Sequence, residues 1–170
     1  DTMMQNKWLG SKTGQGFYKK VDKDILSLDL DTMEYRAQKK ASFATLELTK
    51  TIDKPINRFK VLVGGTDKAG EFYRKNFAGM FAYVSNRIPE ITDDLYKIDD
   101  AMKAGFGWEN GPFEIWDAVG VEKGIELIKA NGAEPAAWVN EMLASGNKSF
   151  YTVKDGAKYF YDIASKSQKK

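Results

Sequence analysis

The feature that most restricts the fold is a run of amphipathic helical segments between residues 66 and 145. In the clearest of these, Asp67 to Ile88, the apolar residues recur at the spacing of one α-helical face: Tyr73, Phe77, Met80, Phe81, Val84 and Ile88. Thr66 or Asp67 is suited to accept hydrogen bonds from the first free N–H groups, and Pro89 ends the segment. This pattern predicts a mainly α-helical fold.

Further helices are predicted on both sides of this segment. Each has a capping residue, a proline or a glycine at one of its ends. They are Lys40 to Thr51 before Pro55, Asp93 to Ala104 between Thr92 and Gly105, Pro112 to Val119 before Gly120, Val121 to Ala130, and Pro135 to Leu143.

Short β-hairpins are predicted at both ends of the helical run. Alternating apolar residues around Asp31-Thr32 indicate one hairpin over residues 25–37, after a turn-rich stretch that ends in an extended Phe17-Tyr18 segment. Phe150 to Val153 and Tyr159 to Ile163 flank a turn and indicate an aromatic hairpin, which we expect to pack on its own domain. The polar tail from Ser165 is expected to be frayed or to act as a linker.

The amino-acid composition excludes several chemistries. The 170 residues include no histidine and no cysteine, which removes Ser-His-Asp and Cys-His nucleophiles, thiolate chemistry and the usual zinc ligands. Any acid, base or nucleophile must be Asp, Glu, Lys, Tyr, Ser or Thr. A net charge of +2 is too small to predict nucleic-acid binding. Neither a signal peptide nor a transmembrane helix is evident, and with the absence of cysteine this favours the cytoplasm.

Two local patterns have a functional and a structural interpretation. Gly14-Gln15-Gly16 resembles the start of a phosphate-binding loop, but Lys19 stands where the third glycine would be, so a turn is favoured. Carboxylates concentrate between residues 93 and 117, where an acid/base pair or an oxygen-ligand metal site is conceivable. Asp99 follows a buried stripe, and we expect it to accept hydrogen bonds from N–H groups of the loop from Gly105 to Pro112.

Two longer motifs resemble a known family. Residues 8–18, WLGSKTGQGFY, resemble the L-G-x-K-x-G-x-G-F-Y signature that closes the first C-terminal helical domain of L-3-hydroxyacyl-CoA dehydrogenases. Residues 98–120 resemble the I-D-x-A-M…G-P-F-E-x-x-D-x-x-G core of that helical domain. The similarity is greatest to the second, duplicated helical domain of multifunctional β-oxidation proteins. The family-motif residues, to which we assign structural roles, are Gly14, Gly16, Asp99, Gly105, Gly111, Pro112 and Asp117.

The resemblance implies a domain organisation and indicates which domains of the family carry the catalytic residues. Residues 1–38 would be the end of a preceding helical domain with a linker hairpin, 39–147 the helical domain, and 148–170 the aromatic hairpin and basic tail. In the family, a His-Glu pair with Ser and Asn catalyses oxidation by NAD on a Rossmann domain and the first helical domain. The Rossmann portion is absent here, and counting back from Asp99 places Arg74 near the position of the family's Asn. We therefore assign no catalytic, cofactor-binding or metal-binding residue.

Several hypotheses remain open at this point. The chain begins at Asp1 without a methionine and is expected to be a piece of a longer polypeptide. Its expected partners in that polypeptide are a Rossmann domain and a first helical domain, with an enoyl-CoA hydratase domain as a possible further one. A different class is a free-standing module that forms homo-oligomers through the face from Phe72 to Val84 and the Trp108 loop. A third is retained CoA binding, for which the candidate cations are Lys12, Arg74 and Lys75.

Overall fold

The computed structural model describes residues 1–170, which form two compact units, Asp1–Ser42 and Phe43–Lys170. The first boundary therefore falls after residue 42, where the sequence placed it after residue 38. Residues 148–170, which the sequence separated from the helical domain, belong to the second unit. The reason is that Phe150 and Tyr161 are fully buried in the core of that unit.

The first unit is a small antiparallel sheet preceded by a helical turn. The helix α1 (Thr2–Gln5) and a 3₁₀ turn (Ser11–Thr13) lead into a meander in the order β1-β2-β3. Its strands are β1 (Tyr18–Val21), β2 (Asp24–Leu28) and β3 (Tyr35–Ala37). The predicted hairpin is thus present, and the extended Phe17-Tyr18 segment contributes a third strand because residues 18–21 pair with residues 24–27.

The second unit is a cluster of seven helices followed by a second antiparallel sheet. The helices are α2 (Ala44–Thr49), α3 (Pro55–Gly64), α4 (Lys68–Asn86), α5 (Leu95–Phe106), α6 (Pro112–Val119), α7 (Val121–Ala130) and α8 (Ala137–Ala144). The strands, in the order β4-β5-β6, are β4 (Tyr151–Lys154), β5 (Ala157–Asp162) and β6 (Ser167–Lys169). The predicted class, mainly α with short flanking hairpins, is confirmed.

The core of the second unit is built on aromatic side chains. Trp116 of α6 is fully buried and stacks on Phe81 of α4, with ring centroids 4.7 Å apart. Phe150 meets the Trp116 and Phe113 rings edge-on at 5.1 and 5.0 Å. These contacts join α4, α6 and the segment before β4, so the aromatic hairpin packs on its own domain as predicted.

Three predicted element boundaries are wrong. The helix expected from Lys40 is shorter, and a second helix, α3, begins at Pro55, because proline at the first helical position has no N–H to leave unpaired. Helix α5 runs through Gly105 and ends at Gly107, whose φ of 68° gives the left-handed C-cap. The tail from Ser165 is not frayed throughout, since it contains β6, which pairs with β5.

Candidate functional site

The motif carboxylate Asp99 lies at the centre of a buried hydrogen-bond network. It projects from α5, and its two oxygens accept hydrogen bonds from the N–H groups of Phe113 and Glu114 at 2.9 and 3.1 Å. These donors belong to the first turn of α6, just beyond the loop that the sequence predicted as the donor segment. Asp99 therefore caps α6 from a neighbouring helix, where the N–H groups have no partner within α6 itself.

Tyr151 links the same carboxylate to the second sheet. Its hydroxyl donates to Asp99 Oδ2 at 2.8 Å, across 52 positions of the sequence. The pattern of residues around Tyr151 indicates only an aromatic strand and contains no signal for a contact with Asp99. Asp99 thus joins α5, α6 and β4 through three hydrogen bonds.

The second motif aspartate, Asp117 of α6, anchors the start of β4. Its two oxygens accept hydrogen bonds from the N–H groups of Phe150 and Tyr151, both at 2.8 Å. This arrangement fixes the entry of the chain into the hairpin and holds the Phe150 ring in the core. Both aspartates therefore pair with backbone donors of distant segments.

Glu114 completes the network on its more accessible side. One oxygen accepts the Gly111 N–H at 2.9 Å, which closes the N-terminus of α6, and the other pairs with Lys158 and Lys103 at 2.6 and 3.1 Å. Lys158 Nζ also lies 3.9 Å from the centre of the Tyr151 ring. The charge of Glu114 is thus balanced by two lysines, whereas no cation pairs with the two aspartates.

The glycine and proline of the second motif are required by the close approach of α5 and α6. A β-carbon at Gly111 would overlap the Cα, Cβ and Cγ atoms of Asp99. Pro112 is fully buried at the first position of α6. No atom lies near the position of a Gly105 β-carbon, so the structure gives no steric reason for glycine there.

The first motif forms a separate turn in the unit Asp1–Ser42. Gly14 has a φ of 76°, in the left-handed region that favours glycine. A β-carbon on Gly16 would lie 2.8 Å from backbone atoms of Gly10, which explains the absence of a side chain. Gly16 also accepts the Tyr35 hydroxyl at 2.6 Å through its carbonyl. The glycines therefore build a tight turn.

Burial changes the titration of the two aspartates. It raises the pKa of Asp99 to about 6, although the hydrogen bonds from Phe113 and Tyr151 oppose the shift. It raises the pKa of Asp117 to about 7, against the hydrogen bonds from Phe150 and Tyr151 and with support from the charge of Asp99. Partial burial acts to raise the pKa of Glu114, but hydrogen bonds from Lys158, Gly111 and Lys103 outweigh it and lower the pKa.

These shifts predict that the unfolding free energy of the chain decreases between pH 5 and pH 8. The pKa values of Asp99 and Asp117 are higher in the folded state than in the unfolded chain, so the folded state binds more protons and loses stability as the pH rises. Below pH 4 the sign reverses, because hydrogen bonds and ion pairing lower the pKa values of Asp67 and Asp162 to about 2.

Urea unfolding at a series of pH values measures this dependence. The decrease from pH 5 to pH 8 is expected to be smaller in the Asp117→Asn variant, because it removes one of the two groups whose pKa is raised in the folded state. An unfolding free energy that rises steadily from pH 5 to pH 8 in the unmodified chain would contradict the prediction.

The network has the properties of a structural element. Each of the four aspartate oxygens accepts a backbone N–H, and the one hydroxyl group recorded against them, that of Tyr151, donates its hydrogen bond to Asp99. No group of three or more Asp, Glu, His or Cys side chains is arranged to hold a metal ion. The arrangement joins α5, α6 and β4, and we propose that this is the role of its motif residues.

Two of the candidate cations for CoA binding are occupied by other groups. Arg74 donates from its guanidinium to the carbonyls of Val63 and Gly65, at the C-terminal end of α3. Lys75 forms an exposed ion pair with Glu71 at 2.7 Å. Lys12 lies in the 3₁₀ turn of the other compact unit. Arg74 and Lys75 both line a small cavity of the second unit, with a volume of about 180 Å³.

The chain lacks the parallel sheet on which the Rossmann fold binds a dinucleotide. Both of its sheets are antiparallel and have three strands, so there is no parallel βαβ unit with a crevice at the ends of its strands. The glycines of residues 14–16 form a turn that leads into an antiparallel strand. No residue of this chain is assigned to NAD.

The fold and the network define a helical domain in which two motif carboxylates hold an aromatic hairpin. A comparison with curated proteins finds three relatives. The chain is 40% identical over 160 residues to a "Probable 3-hydroxyacyl-CoA dehydrogenase" of Bacillus subtilis (strain 168), a match that covers 94% of the chain and 20% of the relative. It is 26% identical over 137 residues to a "Putative fatty acid oxidation complex trifunctional enzyme" of Rickettsia prowazekii, covering 77% of the chain and 17% of the relative.

The chain is a homologue of a segment of the 3-hydroxyacyl-CoA dehydrogenases, and the family indicated by its two motifs is confirmed. It spans about one fifth of the length of the first of these relatives. The names of the relatives support a family of fatty-acid oxidation enzymes. No family model and no solved structure matches the chain. None of its helices is long and apolar enough to cross a membrane.

Proposed function

We propose that the chain is a non-catalytic helical portion of a 3-hydroxyacyl-CoA dehydrogenase that acts in fatty-acid β-oxidation. The longer protein would oxidise 3-hydroxyacyl-CoA to 3-ketoacyl-CoA and reduce NAD to NADH. The segment would pack against a first helical domain and the NAD-binding Rossmann domain, and would help to shape the acyl-CoA groove. An enoyl-CoA hydratase domain of the same longer protein would be a further partner of this segment.

The observation that supports the proposal is that the two motif carboxylates accept hydrogen bonds from the backbone of their own domain. Asp99 and Asp117 direct all their oxygens at backbone N–H groups of α6 and the β4 segment. A general acid or base must come within hydrogen-bond reach of a substrate proton, and Asp99 is fully buried among its own donors. The retained motif therefore supports a scaffold, and the absence of histidine removes the base that the family resemblance implies for this reaction.

We expect no NADH formation when the isolated 170-residue chain is mixed with NAD and a 3-hydroxyacyl-CoA. The measurement is the absorbance of NADH, with a full-length relative such as the Bacillus subtilis protein as the positive control. Turnover by the chain comparable to that of the control would refute the proposal that this segment is non-catalytic.

A second candidate function is a homo-oligomerisation module. Phe72 on α4 is 61% exposed and Phe106 at the end of α5 is 75% exposed, which is unusual for large apolar side chains in a monomer. Sedimentation at several concentrations distinguishes the two functions. A strictly monomeric chain argues against the module, and a concentration-dependent dimer supports it.

A further inference from the structure

A cavity lies between α5 and the second sheet of the larger unit. Its volume is about 350 Å³, at the lower end of the range for sites that hold small organic ligands. Tyr96 and Asp100 of α5 line one side, and residues of β4, β5 and the following Lys170 line the other. Only Tyr151 and Lys158 belong also to the carboxylate network, so the network does not explain the other lining residues.

The first sheet of the chain shows which features such a sheet needs. The two sheets have the same strand register, and each residue of the first is matched 133 positions later, as Tyr18 is by Tyr151. Residues with left-handed backbone geometry also occur at matching places, since φ is 54° at Asp22 and 50° at Asp155. The two sheets are therefore structural repeats, and a difference between their side chains has a cause other than strand pairing.

Aromatic and basic side chains distinguish the second sheet where it lines the cavity. Its residues there include Lys158, Tyr159 and Lys170, whereas the first sheet has Ile25, Leu26 and Ala37 at the matching positions. Because the same strands pair with aliphatic residues at these positions, strand pairing does not require the ring or the two charges. These groups are therefore available to bind a ligand.

The walls of the cavity are rich in aromatic rings. Tyr96 of α5 contacts Phe160 of β5, with ring centroids 4.6 Å apart, and Tyr151 and Tyr159 contribute two further rings. Tyr159 is only partly buried and does not belong to the side chains that pack on the core, so its ring is free to contact a ligand. Since aromatic rings pack favourably on one another, the cavity favours a planar aromatic ligand.

The charges around the cavity leave one positive charge in excess. Lys158 and Lys103 share the carboxylate of Glu114, and Lys103 also lies 3.4 Å from Asp100. Lys170 adds a third cation against these two carboxylates. The Lys158 ammonium has three N–H donors, of which the contact with Glu114 uses one. A ligand with a single anionic group would balance the excess charge.

We propose that this cavity binds a small aromatic carboxylate, with its ring against Tyr159 and Tyr96 and its carboxylate at Lys158 and Lys170. The Lys158 Nζ atom lies 3.9 Å from the centre of the Tyr151 ring, so a ligand carboxylate at this cation lies beside an aromatic wall. The site rests on the cavity and its charges, and it does not depend on the scaffold role proposed above.

Titration of the isotope-labelled chain with sodium benzoate, followed by NMR, tests the site. Two glycine residues added after Lys170 keep the terminal carboxylate away from the cavity. The backbone amide signals of Tyr96 and Tyr159 are expected to shift with a common Kd, whereas that of Tyr83, an exposed tyrosine of α4 outside the cavity, should not move. Shifts that do not saturate, or that are confined to residues outside the cavity, would overturn the proposal.

Substitutions of Tyr159 test the aromatic contact. Tyr159→Ala is expected to raise the Kd for benzoate about fivefold, because the contact between the rings is lost. Tyr159→Phe keeps the ring and should bind like the unmodified chain. Cyclohexanecarboxylate, which has the charge but no aromatic ring, should bind more weakly than benzoate to the unmodified chain. Equal affinity for the two ligands, or no effect of Tyr159→Ala, refutes the assignment of the ring.

The anionic contact is tested at Lys170, which is exposed and can be replaced without disturbing the core. Lys170→Gln is expected to raise the Kd about threefold, as for the loss of an exposed ion pair. Lys154→Gln, on β4 outside the cavity, should leave the Kd unchanged. Benzyl alcohol, which has the ring but no charge, should bind more weakly than benzoate. Equal affinity for these two ligands, or equal effects of the two lysine substitutions, contradicts the placement of the carboxylate.

Discussion

Replacing Gly111 by alanine is expected to destabilise the unit Phe43–Lys170 by about 3 kcal/mol or more, an effect large enough to prevent folding in many domains. The new β-carbon would overlap three carbon atoms of Asp99. Asp99 cannot withdraw without breaking its hydrogen bonds to α6 and Tyr151. Thermal unfolding followed by circular dichroism measures the change.

The matched control is Gly105→Ala on α5. The same substitution meets no atom within 4 Å there, and the residue is helical. Because alanine has a higher helix propensity than glycine, this variant is expected to gain about 0.5–1 kcal/mol of unfolding free energy. A Gly111→Ala variant that melts at the temperature of the unmodified chain would show that α5 and α6 do not approach as closely as the structure describes.

Replacing Asp117 by alanine is expected to lower the unfolding free energy by about 2 kcal/mol or more. The substitution leaves the N–H groups of Phe150 and Tyr151 without an acceptor, and each orphaned buried donor costs about 1–3 kcal/mol. Removal of a carboxylate that burial disfavours offsets part of this loss. Urea unfolding gives the net change.

Hydrogen exchange locates the effect of the Asp117 substitution. The amides of Phe150 and Tyr151 should exchange faster in the variant, because the start of β4 is no longer anchored. Asp100→Ala removes an exposed aspartate of α5 and is expected to change the stability by less than about 0.5 kcal/mol. Equal effects of the two substitutions would contradict the anchoring role of Asp117.

The accuracy of the sequence prediction varies with the kind of signal. The spacing of apolar residues predicted α4 and α7 within two residues, because a helical face is a local property. The sequence pattern predicts that Pro55 ends a helix, whereas in the structure Pro55 begins the next helix, α3. Strand β6 was missed because its residues are polar, and it exists through pairing with β5 and the ion pair between Lys169 and Asp162.

The candidate site shows the same contrast. The motif identified Asp99 and Asp117, and the expected donors to Asp99 were misplaced by one or two residues. Tyr151 and Lys158 had no sequence signal, since aromatic and basic residues are frequent in exposed hairpins. Arg87 and Lys97 lie ten positions apart on either side of a turn, and this spacing does not indicate that both line one groove between α4 and α5.

The sequence by itself determined the helical class, the family resemblance and the residue types available for catalysis. These follow from local periodicity, from two contiguous motifs and from the residue types present, none of which depends on how the helices pack. The tertiary structure decided that Asp99 caps α6 and binds Tyr151, across 14 and 52 positions, and that α4 and α5 enclose an apolar groove. Such contacts arise only when distant segments bury their apolar faces together, so the order of residues alone does not reveal them.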